Sequence, residues 1–182
     1  MAAVSSQKRH VVLLLRLRFS FNRMKAFIVT AMLVFSACLQ AEENAQAIAV
    51  IVSPHLQLEK LKLTPNSLKL IYLRKQLYWP NGQRVAPVNL DANHALRTQF
   101  SQTVLGSLPK QQIDYWNGLY FNGVRPPRTV SSDESVIRYI AETAGAIGYI
   151  DVCHVDARVQ PVLWLVDDAL TTMPPKNVDC KP

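Results

Sequence analysis

The chain has 182 residues, with 20 Lys and Arg against 13 Asp and Glu, a formal charge of +7. Residues 1–41 hold six of the basic residues and none of the acidic ones, so the remainder carries 14 basic and 13 acidic side chains, a net charge of +1. Nucleic-acid binding needs a basic face that survives processing, and this balance excludes it.

Met24-Lys25 opens onto an apolar run at 26–37, broken only by Thr30 and Ser36. Twelve such residues suit the core of a secretory signal and fall short of a bilayer span. Residues 24–41 are therefore expected to be a signal peptide cleaved near Ala41, ahead of Glu42-Glu43, with the mature chain in the periplasm. Ala45-Gln46-Ala47 offers a second cut. Phe35-Ser36-Ala37-Cys38 resembles a lipoprotein box, which leaves lipidation at Cys38 as a competing outcome and an uncleaved anchor as a third. Residues 1–23, with Lys8, Arg9, Arg16, Arg18 and Arg23, read as sequence upstream of a true initiator at Met24, or else as a long basic n-region.

About 141 residues remain after cleavage, enough for one domain to bury a core. Residues 48–52, apolar and β-branched, predict a buried strand ended by Ser53-Pro54, and residues 56–62 a connector. Thr64-Pro65 starts a helix carrying Leu68, Ile71 and Tyr72, which must stop before the turn Trp79-Pro80-Asn81-Gly82. Residues 85–90 form a second strand. Pro87 predicts that it lies at an edge, or that its missing donor faces away from a neighbour. Asp91 or Asn93 is the expected cap of the next helix, with Leu96, Phe100, Val104 and Leu105 as its apolar stripe and Gly106 as its close. A helix from about Pro109 carries Ile113, Trp116, Leu119 and Tyr120 along one side and ends at Asn122-Gly123. Ser131 with Glu134 reads as a capping box before Val136, Ile137 and Ile140, and Gly145 as the residue after that helix. Residues 146–151 and 159–166 are the last strands. The order β-α-β-α-α-α-β-β predicts a layered α/β domain over 42–170, followed by an irregular tail at 171–182. In an oxidising compartment Cys153 and Cys180 are expected to pair, tying that tail to a strand end; two separate thiols are the alternative.

Two blocks of residues resemble a known family. One is Ile71-Tyr72-Leu73, then Trp79-Pro80-Asn81-Gly82 and residues 85–88. The other is Tyr115-Trp116, Phe121-Asn122-Gly123, Pro126-Pro127-Arg128 and Gly145-Ala146-Ile147-Gly148-Tyr149. The ordered set, spanning 48–151, is similar to the small single-lobe relatives of the phosphate-binding proteins that serve ABC transporters, within the type 2 periplasmic binding-protein superfamily. The resemblance implies one lobe of such a protein and, in full-length members, phosphate held between two lobes. Full-length receptors carry Ser-Gly-Thr at the start of the helix after the strand matching 85–90. Here His94-Ala95-Leu96 stand at those positions, and the Arg and Asp just upstream are unmatched.

The residues themselves offer two places for an anion. One is the helix start after Asp91, where backbone amides and the helix dipole favour negative charge and Asn93, His94 and Arg97 stand near; an ordinary cap with a surface arginine explains the same residues. The other is Ser131-Ser132 near Arg128, which a plain capping box also accounts for. A single lobe leaves an anion wet on one side, so a homodimer or an envelope protein partner is expected to supply the second wall. His55, His94 and His154 are scattered, Asp167-Asp168 sits at a strand end, and neither a Gly-x-Ser-x-Gly nor a Walker loop occurs. No enzyme, cofactor or metal site is expected. Two functions remain: a solute-binding-like protein connected with phosphate or another oxyanion, or an interaction module that keeps the fold without the ligand site.

Overall fold

The computed structural model describes residues 46–56, 63–176, 178 and 180. The expected signal peptide at 24–41, the segment at 1–23, Cys38 and most of the 56–62 connector lie outside the described residues. Among the described residues, no helix is long and apolar enough to cross a membrane.

Strand β1 (Ile48–Val52) is buried at all five positions because it lies inside the sheet, antiparallel to β4 (Ala146–Asp151) on one side and β5 (Gln160–Val166) on the other. A strand covered on both faces reads as a continuous apolar run rather than an alternation. Helix α1 (Pro65–Tyr72) starts as its sequence dictates. Thr64 Oγ1 accepts from the Ser67 amide at 3.1 Å, Ser67 Oγ accepts from the Thr64 amide at 2.7 Å, and Pro65 occupies the first turn. The chain then turns at 78–84, where Trp79 Nε1 donates to the Gly145 carbonyl at 2.9 Å.

Strand β2 (Ala86–Leu90) is not an edge strand. It runs parallel to both β4 and β3 (Arg128–Val130), in the sheet order β3-β2-β4-β1-β5-β6. Pro87 is tolerated because the Ala86 amide donates to Gly145 on the β4 side, which turns position 87 toward β3, and β3 begins pairing only at Val88. The second alternative offered by the sequence, a donor facing away, is the one realised.

Helix α2 (Ala95–Phe100) continues into a π-turn (Ser101–Leu105) that Gly106 closes at φ +75°. Helix α3 (Ile113–Tyr120) follows a 3₁₀ turn (Pro109–Gln112) and fully buries none of its residues; of its predicted apolar stripe, Trp116 and Leu119 are half-buried while Ile113 and Tyr120 are exposed. Helix α4 (Asp133–Glu142) buries Val136, Ile137 and Ile140. Strand β5 is followed by a further short strand, β6 (Ala169–Thr171), through a turn in which Asp167 and Asp168 both adopt positive φ. The sequence reading placed no strand there. Three residues with two flanking aspartates carry too little periodicity to register.

Successive strand residues point to opposite faces. On one face of β4, Tyr149 stacks on Phe100 of α2 with ring centroids 3.9 Å apart, and Tyr72 of α1 packs on Phe100 at 4.7 Å. On the other face Gly148 lies under α4, where an added Cβ would come within 2.7 Å of Val136 and 2.9 Å of Val88. The sheet is thus held between α1 with α2 on one side and α4 on the other. Cys153 and Cys180 are joined by a disulfide, which ties the tail to the turn after β4.

Candidate functional site

The connections β2–α2 and β3–α4 bring two helix starts to the carboxyl ends of parallel strands, the usual ligand position in such sheets. A cavity of about 540 Å³ lies there, lined by His94 and Leu96 of α2, by Ser131 to Glu134 and Ile137 at α4, and by Gln46, Asp151, His154, Asp156 and Arg158. That volume suits a small ligand.

Both helix starts already hold a side-chain cap. His94 caps α2 in place of the expected Asp91 or Asn93: its Nδ1 accepts from the Leu96 amide at 3.3 Å, which requires an unprotonated nitrogen there. Ser132, not Ser131, caps α4, accepting from the Ser135 amide at 3.3 Å. The predicted Ser131–Glu134 capping box is therefore not formed; a single cap one residue later takes its place. Glu134 turns away and grips Arg158 through two hydrogen bonds of 2.9 and 2.7 Å.

The charge of the cavity is set by carboxylates. Arg158 is shared between Glu134 and Asp156, whose hydrogen bonds hold its pKa above the ordinary value and lower both of theirs. Asp133 is buried; its Oδ2 accepts from the Asp151 amide at 2.9 Å and lies 2.7 Å from His154 Nδ1. The hydrogen bond to Asp133 raises the His154 pKa. Asp151 accepts from the Cys153 amide at 2.8 Å and from Gln46. Four carboxylates thus share the cavity with one arginine and two histidines, His94 and His154. Among the described residues, no group of three or more His, Cys, Asp or Glu is placed to hold a metal ion.

Of the residues singled out from the sequence, His94, Ser131 and Ser132 meet in this cavity. Asn93 lines a different depression with Lys110 and Ile113. Arg128 lies on the surface over the Tyr139 ring, 5.4 Å from its centroid. Arg97 is no surface arginine; it is only 7% exposed. Sequence reasoning missed Asp133, Asp151, His154, Asp156 and Arg158. Only Asp151, at the end of a predicted strand, carried a positional hint.

No family model matches the chain, and no curated protein matches it. Among solved structures, a chain from Clostridium perfringens, described as a phosphate ABC transporter substrate-binding protein with bound phosphate, is similar with a TM-score of 0.52 and 20% identity. That match covers 64% of this chain and 44% of the other. An ABC-type phosphate transport receptor from Vibrio cholerae is similar with a TM-score of 0.49 and 20% identity, over 64% of this chain and 45% of its own. The likeness is one of fold: this chain has the mixed α/β architecture of about half of such a binding protein, and it spans less than half of their length.

Proposed function

We propose that this chain is an exported binding module of the solute-binding-protein fold, whose cleft at the carboxyl ends of β2 and β4 is completed by a second polypeptide. The partner is an envelope protein or a second copy. The observation that carries this reading is the cleft's charge. Its one arginine is engaged by Glu134 and Asp156, and Asp133 and Asp151 add further negative charge. A doubly charged oxyanion entering alone would meet repulsion on an open, water-exposed side. A second wall could bring its own basic groups to those carboxylates. Export is supported by the apolar run after Met24 and by the Cys153–Cys180 disulfide, a bond favoured in oxidising compartments.

Native mass spectrometry of the protein purified from the cell envelope tests this proposal. The expected species starts near Glu42 and is a complex, and it dissociates when Glu134 and Asp156 are both changed to Lys. A monomer that stays monomeric at working concentration would overturn the reading.

Capture of phosphate or another small oxyanion is the second reading. It is favoured by the convergence of His94, Ser131, Ser132 and the amides that open α4. Phosphate titrated against tryptophan fluorescence decides between them: a saturable change below millimolar, lost in Ser132→Ala, would put capture first.

A further inference from the structure

The inner face of α2 packs on the sheet through Leu96 and Phe100, and between them sits a cation. Arg97 is 7% exposed; its Nη1 is buried without a hydrogen-bond partner, and no carboxylate among the described residues forms an ion pair with it. Four residues on, where the π-turn begins, Ser101 is wholly buried and its Oγ also lacks a partner. Residues four apart on a helix lie on one face. Buried donors are nearly always bonded, and a buried ion without counter-charge is strongly unfavourable.

Among the described residues, nothing around Arg97 supplies the missing charge. It acts on the phenols of Tyr72 and Tyr149, but burial, the largest influence on both, pushes them well above ordinary tyrosine, so they stay neutral. Their hydrogen bonds also go elsewhere. Tyr72 donates to the Val88 carbonyl at 3.2 Å; Tyr149 donates to Asn89 Oδ1 at 3.2 Å and accepts from the Leu90 amide at 3.4 Å.

We propose that the inner face of α2 holds one small oxyanion as an integral counter-ion, bound by Arg97 Nη1 and Ser101 Oγ at a place distinct from the cleft. A planar guanidinium and a hydroxyl offer donors in different directions. A sulfate, phosphate or carboxylate group meets both with separate oxygens, whereas a halide meets them at one point.

The test is the melting temperature of the mature protein in 0.1–10 mM sodium sulfate or phosphate, with ionic strength held constant by sodium chloride. The expected result is a rise of about 4 °C for each tenfold increase above the dissociation constant. Arg97→Met should abolish the rise, and Ser101→Ala should weaken the affinity several-fold. Should Arg97→Met fail to fold, Ser101→Ala and a retained oxyanion adduct in native mass spectrometry of the unaltered protein serve in its place. Equal responses in the unaltered protein and the variants would overturn the site, as would no response and no adduct. The cleft reading is untouched by either result, since Glu134 and Asp156 play no part in this site.

Discussion

Helices α4 and α3 look alike in sequence, each an eight- to ten-residue amphipathic stretch, yet they do different things. In α4, Val136 and Ile140 are buried over Gly148 beside Val88, and Ile137 is buried at the cavity. In α3, Ile113 and Tyr120 remain 55% and 61% exposed, and the helix is tied to α1 through Tyr115, whose hydroxyl donates to the Leu73 carbonyl at 2.7 Å. A periodic stripe states which face of a helix is apolar and leaves open what that face meets. Helix α4 spans the connection between two strands of one sheet, β3 and β4, with β2 between them, so it must lie across the sheet. Helix α3 sits in a longer excursion between α2 and β3 and has no such obligation.

That contrast can be broken by substitution. Ile140→Ala should cost about 3–4 kcal/mol in urea unfolding, since it empties a fully buried site. Breaking the Cys153–Cys180 bridge, 27 residues apart, with Cys180→Ser should cost about 3 kcal/mol, measured against the oxidised protein. Tyr115→Phe removes the bond that ties α3 down and should cost about 1 kcal/mol.

The His154–Asp133 pair at the α4 start should show its presence in pH dependence. Asp133 raises the folded pKa of His154 above 6.5. Its stabilising effect is therefore complete below about 6.5 and fades as pH rises through the higher folded value. The ring is 62% exposed, so solvent screening keeps the effect small. An NMR titration of His154 should give a pKa above 6.5 that returns toward it in Asp133→Asn. Smallest of all, Ile113→Ala should change stability by less than about 0.5 kcal/mol. A cost near that of Ile140→Ala would mean that α3 is a covered helix in solution.

Much of the fold was legible. Thr64-Pro65 and Gly106 mark helix boundaries because capping geometry is local, and residues 48–52 announce a strand buried on both faces; Gly145, expected to close α4, instead lies two residues past its cap, Thr143. The site was less so. His94 and Ser132 arrive at the cavity by the expected route, through helix starts, but as caps. Asp156 and Arg158 come from a turn some 24 residues beyond Glu134 and join it only through folding. Arg97 read as a surface residue because, at one position along a helix, a charged side chain between two apolar ones is the ordinary pattern of an exposed flank.

The amino-acid sequence alone determined most element types, the short strands β3 and β6 excepted, many of their ends and the pairing partners available to two cysteines, since these depend on interactions within a few residues or on composition. It also pointed to half of a binding-protein fold. Tertiary structure alone decided that Pro87 sits inside the sheet, that four carboxylates share a cavity with one arginine at the strand ends, and that Arg97 lies buried without a counter-charge among the described residues. Each of these depends on which distant segments meet, and neither periodicity nor spacing along a single chain encodes the electrostatics of that meeting.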